Sequence, residues 1–555
     1  MKFSHSLLST FLLLALFSTT GSAQESGKWG EIHGNVQFDA QYYNPDSAIG
    51  APPVPEKLLM NGFTNLIYTK GKFQVGIRYE NYLNVLQGFD ARYEGQGITY
   101  RYATFDADYL TITVGNFYEQ FGSGMIFRAY EERGLGWDNA MDGARVKAHV
   151  LGGVYMTALI GRQRSFFDYG EGIVRGFDGE INLNETFKGI AESKFKATIG
   201  GSFVSKYQKD EDPDFDLPEN VGAWAARANL LYGGFNLSGE YVSKINDPSA
   251  SNVIYLENQE ARKNYNPGSG VLASLAYSRK GLGIIVAAKR IDNMDFRSDR
   301  NATGFNLNIN YLPALTKQHT YQLAASLYPY ATQPNGEWAF QGEISYKIPR
   351  KSKVGGRYGI SLVFNYSQVH GLVNTINAAE SGYTNNFFEL GELYFRDINF
   401  EISKKFSKKV KAAAKYLNLA YNKEVVQGLE GYGTIKANIA IADVTYKVAK
   451  KHSLRLELQG LWTKDKADEG HWALALLEYQ WSPHMFVAVM NQWNYGNKDA
   501  DKRLHYPSIT VGYIHNATRV TLGYGRQRAG IFCVGGICRN VPASNGVSLS
   551  ITTSF

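Results

Sequence analysis

The sequence predicts a single antiparallel transmembrane β-barrel of the outer-membrane type, all-β, with about 24 strands and a range of about 22 to 26. Three observations support this fold class. Alternating strands recur along the chain, no segment after the N-terminus approaches ~20 consecutive apolar residues, and the last strand ends at a C-terminal Phe555. An even number of strands places both termini on the periplasmic side.

The last strand shows the alternation most clearly. One parity holds Val547, Leu549, Ile551, Thr553 and Phe555, and every residue of the other parity from Ser548 to Ser554 is serine or threonine. Because successive side chains point to opposite faces of a strand, one face is mostly apolar and the other carries only hydroxyl groups. This terminus resembles the signal that the bacterial barrel-assembly machinery reads, so that machinery is an expected partner during insertion.

Residues 1–23 are predicted to be a signal peptide. Lys2 and His5 precede an apolar core over residues 7–17, and Gly21 to Ala23 form a small-residue cleavage site. The apolar core is too short to span a bilayer as an ordinary helix. The exported barrel is therefore expected to comprise residues 24–555.

Composition is uniform over the predicted barrel, which favours one domain. The chain contains 57 glycines, 37 tyrosines and 31 phenylalanines but only 15 prolines, and no linker divides it. The formal net charge of +7 is concentrated in short basic runs at predicted tight turns, with no nucleic-acid-binding motif around them. We expect solvated turns on the periplasmic rim that touch anionic headgroups, and no nucleic-acid partner.

Strands and connections follow in a regular order. The first strand covers residues 28–43, and residues 61–69 and 73–83 form the first clean hairpin. Predicted short turns lie near 70–72, 108, 151–153, 232–234, 279–281, 407–409, 482–484 and 516–518, and two somewhat longer connections on the same side lie near 188 and 355. Predicted longer loops lie near 44–60, 84–95, 118–143, 164–172, 207–220, 245–270, 293–335, 371–390, 422–432, 464–470, 493–505 and 531–543. Short connections on one rim and long extracellular ones on the other are typical of bacterial barrels.

Charged residues of both signs occupy the predicted inward parity of several strands. They are Arg78, Glu80, Glu343, Lys347, Asp397, Glu401, Arg455, Glu457 and Arg519. In a wide lumen such charges either line a water path or connect a lumen filling by hydrogen bonds, and both interpretations remain open.

Two loops are candidates for narrowing or closing the lumen. The loop over residues 118–143 is too apolar for a free loop and too charged for a strand, and the longest loop, residues 293–335, is rich in aromatic residues. Candidate constriction residues are Arg128, Glu131, Glu132, Arg133, Asp138 and Asp142. Candidate plug or partner residues are Arg297, Arg300, Tyr311, His319, Tyr328 and Tyr330. The alternatives are an internally salt-bridged structural loop for the first and one more strand pair for the second.

Cys533 and Cys538 are the only cysteines, and they flank Gly535-Gly536. Two glycines suit a two-residue hairpin turn in which the central residues take positive φ. The cysteines would then face each other as a non-hydrogen-bonded pair at disulfide spacing, which an exported protein favours. A disulfide is predicted, with a redox-active pair and a metal site as alternatives.

Enzyme motifs are missing from the sequence. It contains no nucleophile elbow, no zinc-binding histidine pair and no Walker loop. We therefore predict no enzymatic activity, no catalytic or metal-binding residues and no cofactor, with a membrane-embedded hydrolase as the alternative.

Four segments carry a resemblance to a known family. They are Met294 to Asn301, Leu312 to Tyr321, Tyr328 to Glu337 and Gly525 to Asn545. These segments resemble a Bacteroidota outer-membrane β-barrel family of unknown function. The resemblance implies the outer membrane of a Gram-negative, Bacteroidota-like bacterium, with contacts to lipid and lipopolysaccharide. Because such membranes hold multi-barrel machines, it also implies other outer-membrane proteins or lipoproteins as partners in a stable complex.

A barrel of this width must either conduct or be plugged. We predict a passive, porin-like channel whose mouth is narrowed by the two long loops. The alternative is an accessory barrel of a larger envelope machine for protein insertion or secretion, with its lumen filled by its own loops. A TonB-dependent transporter is disfavoured, because its plug domain would precede a first strand that here starts near the predicted cleavage site.

Overall fold

The computed structural model describes residues 29–213, 216–255, 261–377, 381–464, 470–534 and 537–555. A sheet of 24 strands within these residues closes into one antiparallel barrel, which confirms the predicted fold class and strand number. No helix among the described residues is both long enough and apolar enough to cross a bilayer. The predicted signal peptide, residues 1–23, lies outside the described residues.

We number the barrel strands β1 to β24 in chain order. They are β1 Glu31–Tyr43, β2 Leu58–Lys70, β3 Phe73–Leu83, β4 Gly95–Ala107, β5 Leu110–Phe117, β6 Met141–Leu151, β7 Val154–Ser165, β8 Asp168–Asn182, β9 Phe195–Tyr207, β10 Asn220–Tyr232, β11 Phe235–Lys244, β12 Gly268–Arg279, β13 Leu282–Asp292, β14 Gly336–Ile348, β15 Ile360–His370, β16 Leu393–Lys405, β17 Val410–Asn422, β18 Thr434–Lys447, β19 His452–Thr463, β20 Trp472–Trp481, β21 Met485–Trp493, β22 His505–His515, β23 Thr518–Gln527 and β24 Ser544–Ser554.

The connections contain short elements of their own. The helices are α1 Leu183–Thr186, α2 Gln322–Leu327 and α3 Lys423–Gln427, with 3-10 turns at Ser47–Ile49, Ala91–Tyr93, Arg133–Leu135, Lys188–Ile190 and Ala500–Lys502. Two-stranded pairs join Glu119–Gln120 to Arg128–Ala129, Glu131–Glu132 to Trp137–Asp138, Val253–Tyr255 to Ala261–Lys263, Asn374–Asn377 to Gly382–Asn385, and Gly530–Val534 to Ile537–Val541.

The first and last strands close the barrel. β1 pairs with β24 in a continuous antiparallel register from Asn35 opposite Ser554 to Tyr43 opposite Gly546. The seam continues to the C-terminal residue, since the amides of Gly34 and Phe555 each donate to the other's carbonyl at 3.0 Å. Gly34 is required there, because a Cβ at this position would lie 2.3 Å from the Phe555 ring.

The barrel has two unlike rims. Connections after even-numbered strands are mostly short turns, and they share one rim, the short-turn rim, with both ends of the described barrel. Connections after odd-numbered strands are mostly longer and form the long-loop rim. In bacterial barrels the rim of short turns faces the periplasm and the long loops face outward.

One predicted loop is a tight turn. The loop predicted near 164–172 is reduced to Phe166 and Phe167 between β7 and β8. Phe166 takes a φ of 59°, which bulky residues rarely adopt. Aromatic packing holds it there, since its ring meets Tyr93 edge-on at 4.7 Å and Phe167 meets Tyr82 at 6.0 Å. Tertiary packing therefore overrides the local preference of the sequence at this point.

The outer wall carries the apolar parity of the strands. In β3, Val75, Ile77 and Tyr79 are 39 to 45% exposed, whereas Arg78 and Glu80 of the other parity are 3% and 1% exposed. An outward apolar band around a closed barrel is the surface that lipid chains contact.

A hairpin from the long-loop rim covers part of this wall. On β13, Val286 and Arg290 share the outward parity, yet Arg290 is only 3% exposed. Asp292 accepts hydrogen bonds from Tyr383 at 2.6 Å and from Asn385 at 2.9 Å, so the hairpin Asn374–Asn377 and Gly382–Asn385 lies against β13. This outer hairpin hides a charged pair that would otherwise face lipid.

Candidate functional site

The long loop between β13 and β14, residues 293–335, fills one part of the lumen. None of its described residues adds a strand to the barrel, so the alternative of one more strand pair is wrong. Its helix α2 inserts Leu323 and Leu327, 0% and 5% exposed, into an apolar cluster that we call the α2 core. Inward residues of β16 to β20 supply the other side, including Leu417, Ile439 and Leu461, each 0% exposed.

A second apolar core lies beside it, formed around the loop between β5 and β6. Phe121, Met125, Ile126 and Phe127 of this loop are at most 1% exposed. They pack against inward valines and alanines of β8 to β11 and against residues of the β13–β14 loop: Val174, Val204, Val221, Ala223, Val242, Met294 and Phe296. We call this cluster the β5–β6 core. Two water-excluding cores therefore occupy the lumen.

A buried ion-pair network joins the β5–β6 loop to the wall. Arg78 contacts Glu80 at 2.8 Å, Glu131 at 2.9 Å and also Asp138. Arg164 donates to both carboxylate oxygens of Glu80, at 2.9 and 2.6 Å, and to Asp138 at 2.6 Å. The three carboxylates lie within 4.8 Å of one another, but two guanidinium groups already supply the positive charge between them. The network thus brings two predicted lumen charges together with two predicted loop residues.

Sequence reasoning missed Arg164, because it placed this residue in a loop. In the structure Arg164 belongs to β7, beside the turn at Phe166, and its side chain is 2% exposed. Alternation alone would have pointed Arg164 outward, because Leu159 and Gln163 hold the inward parity of β7. The irregular register between Arg162 and Arg164 turns the side chain inward instead.

Other predicted residues of the β5–β6 loop hold this loop in place. The Arg133 side chain contacts Glu131 at 2.6 Å and donates to Gln37 of β1 at 3.1 Å. Arg128 lies over the rings of Tyr130 and Tyr311, about 4 Å from each centroid. Tyr311 belongs to the β13–β14 loop, so Arg128 ties the two long loops to each other.

The last two predicted residues of this loop are Glu132 and Asp142. Glu132 is half-buried at the start of the Arg133–Leu135 turn. Asp142 lies in β6, next to the fully buried Met141, and its carboxylate pairs with the half-exposed Arg101 at 3.3 Å. Because side chains alternate along a strand, Asp142 faces away from the lumen, and its assignment to the constriction is wrong.

The β13–β14 loop is anchored by charged contacts of its own. Arg297 pairs with Asp295 at 2.9 Å and donates to the carbonyls of Ala302 and Gly304. Arg300 reaches Asp247 of the β11–β12 loop at 3.0 Å. These contacts give Arg297 and Arg300 structural roles inside the filling.

The second half of this loop is pinned to the wall by Lys289 of β13. Its ammonium group lies 2.8 Å from Glu337, and both side chains are 0% exposed. Lys289 also donates to the Pro313 carbonyl at 2.5 Å and to the Thr332 hydroxyl at 2.7 Å. Glu337 accepts a hydrogen bond from Tyr330 at 2.6 Å. Burial, helped by the charge of Glu337, raises the pKa of Tyr330 well above its ordinary value.

Two more predicted loop residues lie in the same part of the lumen. His319 contacts Asp397 at 2.8 Å and Lys415 at 3.3 Å. The Tyr328 ring meets the Tyr421 ring at 5.5 Å. Predicted residues His319 and Asp397 are therefore partners across the interface between the loop and the wall.

The remaining lumen charges lie on β14, β16, β19 and β23. Glu343 pairs with Lys317 of the filling, and Arg455 pairs with Glu457 and, at 2.8 Å, with Asp443. Other inward charges are exposed or half-buried toward the short-turn rim: Lys347, Glu401 and Arg519. The filling thus occupies the half of the lumen nearer the long loops, while charges line the other half.

A cavity of about 490 Å³ remains between α2 and the wall of β21 to β24. Its lining includes Gln41, Gln322, Gln492, Thr510 and Ser548. No aspartate or glutamate of the described residues is among the lining side chains. The hydroxyl parity of β24 that the sequence singles out therefore faces this space in the lumen.

The cysteine side chains lie outside the described residues. The backbone pairs Cys533 directly with Cys538 in the Gly530–Val534 and Ile537–Val541 hairpin. This register is compatible with the disulfide, which stays a prediction.

We expect the purified, unreduced protein to resist maleimide labelling until a reductant is added. The Cys538→Ser variant, which would free Cys533, should label without reductant, and labelling of the unreduced parent would contradict the disulfide.

Comparison with known proteins identifies the family. A family profile matches residues 4–555, nearly the whole chain, and describes DUF6029, a family of unknown function. The chain belongs to this family. No curated protein gives a significant match.

Among solved structures, the similarities are those of a shared barrel. The siderophore receptor PirA from Pseudomonas aeruginosa is 11% identical with a TM-score of 0.42, over 95% of this chain and 81% of the receptor. The P pilus usher PapC translocation pore is 10% identical with a TM-score of 0.45, over 94% and 99%. OpdQ from Pseudomonas aeruginosa is 7% identical with a TM-score of 0.31, over 95% and 97%.

Proposed function

We propose that this DUF6029 barrel is a closed-lumen accessory subunit of a larger assembly in the outer membrane of a Bacteroidota-like bacterium. One observation carries the proposal: two apolar cores formed by its own loops occupy the half of the lumen nearer the long loops. The proposal assigns the protein no enzymatic activity. Its partners would be lipid, lipopolysaccharide and other outer-membrane proteins or lipoproteins.

The chemistry of the inner wall supports closure. A water-filled porin lumen is lined by polar side chains, whereas here Leu417, Ile439 and Leu461 point inward and are 0% exposed. Burying such side chains contributes about 1.5–3 kcal/mol each, so the α2 core resists withdrawal of the loop. The buried pair of Lys289 in β13 and Glu337 in β14 adds a polar anchor, because it binds Pro313, Thr332 and Tyr330 of the loop. An opening motion would have to break these loop contacts as well as the α2 core.

A second candidate, a narrow selective channel, has one observation in its favour. The cavity of about 490 Å³ runs along the hydroxyl-rich wall of β21 to β24 and is lined by hydrogen-bonding side chains such as Gln492 and Thr510, together with the cations Lys317, Arg526 and Arg528. A solute path, if one exists, would follow this wall rather than the barrel axis.

Planar-bilayer recording separates the two candidates. The proposal predicts that the purified protein, reconstituted and shown to be folded by heat-modifiable migration, gives no steady ohmic current. The matched variant Ser548→Trp, which fills the cavity along the wall, should then behave like the parent. A steady current in the parent would contradict closure, and its loss in Ser548→Trp would support the narrow channel.

A further inference from the structure

Cations on the short-turn rim are concentrated on one side of the barrel. Four consecutive turns, after β12, β14, β16 and β18, carry exposed lysines and arginines within residues 279–280, 350–357, 405–411 and 447–451. Because these turns join eight adjacent strands, their cations form one continuous arc. We call this surface the basic crescent.

The basic crescent contains no neutralising groups of its own. Residues 279–281, 347–359, 404–411 and 447–451 include no aspartate or glutamate. Elsewhere on the same rim, cations and carboxylates are mixed: Lys72 lies 3.9 Å from Asp108, and the β8–β9 connection holds Glu185 and Glu192 beside its lysines. The excess of positive charge is therefore local to one third of the rim.

Exposed apolar side chains accompany the cations. Val354, Phe406 and Val448 lie in three of the four turns and are 67%, 60% and 45% exposed. Apolar anchors surrounded by charged groups are the composition of a protein-binding surface, where the apolar groups give affinity and the charges give specificity and a fast association rate.

We propose that the basic crescent docks the acidic face of a periplasmic protein. This inference rests on the accessory-subunit function proposed above and names the chemistry of one partner. Anionic lipid headgroups share the attraction to lysine, but lipid surrounds the whole barrel. Headgroup binding would favour cations on every turn of the rim. The turns after β6, β10, β20 and β22 lie outside the crescent and contain no lysine or arginine.

Site-specific photo-crosslinking in living cells tests the proposal. A benzophenone amino acid is placed at Val354 in the crescent or at Tyr109, which is 69% exposed in the turn after β4. Both side chains occupy exposed turns of the same rim, so they differ mainly in whether cations surround them. We expect a discrete crosslinked protein from Val354 and none from Tyr109, and mass spectrometry should show an acidic surface on the captured protein.

Removal of positive charge from the basic crescent provides a second test of the proposal. The variant Lys351→Gln, Lys353→Gln, Lys408→Gln and Lys409→Gln removes four exposed charges without touching the filling of the lumen. It should lower the Val354 crosslink roughly tenfold while barrel folding is unchanged, because electrostatic steering is lost. A neutralising set in the mixed-charge β8–β9 connection, Lys188→Gln and Lys194→Gln, should leave the crosslink unchanged.

Three results would overturn the inference: crosslinks to lipid only, equal or absent protein crosslinks at Val354 and Tyr109, or a crosslink that the neutralised variant retains. Failure of the proposed function is a different observation, because it appears as a steady current in the bilayer recording. A barrel that conducts yet captures an acidic protein at the crescent would refute closure alone.

Discussion

Replacing Arg164 with leucine is expected to be among the most damaging single changes in the barrel. The substitution leaves Glu80 and Asp138, 1% and 6% exposed, without one of their two guanidinium partners. Removing one partner of a buried ion pair costs about 3–5 kcal/mol. We expect the urea midpoint of the folded barrel in detergent, followed by tryptophan fluorescence, to fall accordingly. The β5–β6 loop should also become sensitive to added protease, since this network attaches it to the wall.

The matched control removes a surface ion pair instead. Lys209 lies 3.7 Å from Glu211, and both side chains are about three-quarters exposed. Solvent screens such pairs, so Lys209→Ala should leave both the urea midpoint and the protease pattern unchanged. Equal midpoints for Arg164→Leu and Lys209→Ala would show that the buried network does not hold the loop.

Replacing Lys289 with methionine is expected to open the filling. The change leaves Glu337 charged and 0% exposed with no cation beside it, again a cost of about 3–5 kcal/mol. It also removes the donor that holds Pro313 and Thr332 to β13. Because the penalty is relieved when water reaches Glu337, the β13–β14 loop should leave the wall. Planar-bilayer recordings should then show current steps that the parent lacks.

The double variant Lys289→Met with Glu337→Gln separates anchoring from simple damage. Glutamine removes the uncompensated charge and can still accept the hydrogen bond from Tyr330. Neutral replacement of both partners of a buried pair is often tolerated, so the double variant should regain most of the urea stability and most of the closure. Current steps as frequent in the double variant as in Lys289→Met would mean that the lost charge pair is not what opens the lumen.

Much of the barrel could be predicted because its strands repeat one rule. Alternation placed Arg78 and Glu80 on the face opposite Val75 and Ile77, and hydroxyl groups on one face of the last strand. The same rule was misapplied at Asp142, which was assigned to a loop although it follows Met141 in β6. A loop boundary wrong by a few residues exchanges inside for outside, since the period is two.

The filling was harder to predict, because the apolar parity of its wall partners faces inward rather than toward lipid. Near the long loops, β17 and β18 carry apolar or aromatic residues on the inner face, as in Leu417, Leu419 and Tyr421. In the sequence, such a strand looks the same as one whose apolar face contacts lipid. The two can be told apart only once a loop is known to cover the inner side. The pairing of Arg164 with Glu80 joins residues 84 positions apart, and no local pattern encodes a contact at that distance.

The outer hairpin over β13 has a consequence for the surrounding bilayer. With Arg290 and Asp292 covered by the segment around Tyr383, and Trp338 bonded to the Phe387 carbonyl at 2.8 Å, the long-loop ends of β13 and β14 meet this segment rather than lipid. A cover on one side makes the surface that faces the bilayer uneven around the barrel, and a membrane adapts to such mismatch by local changes of thickness or by tilt of the barrel. The outer leaflet should therefore be most perturbed beside β13 and β14, where a neighbouring protein would meet the least resistance to lateral contact.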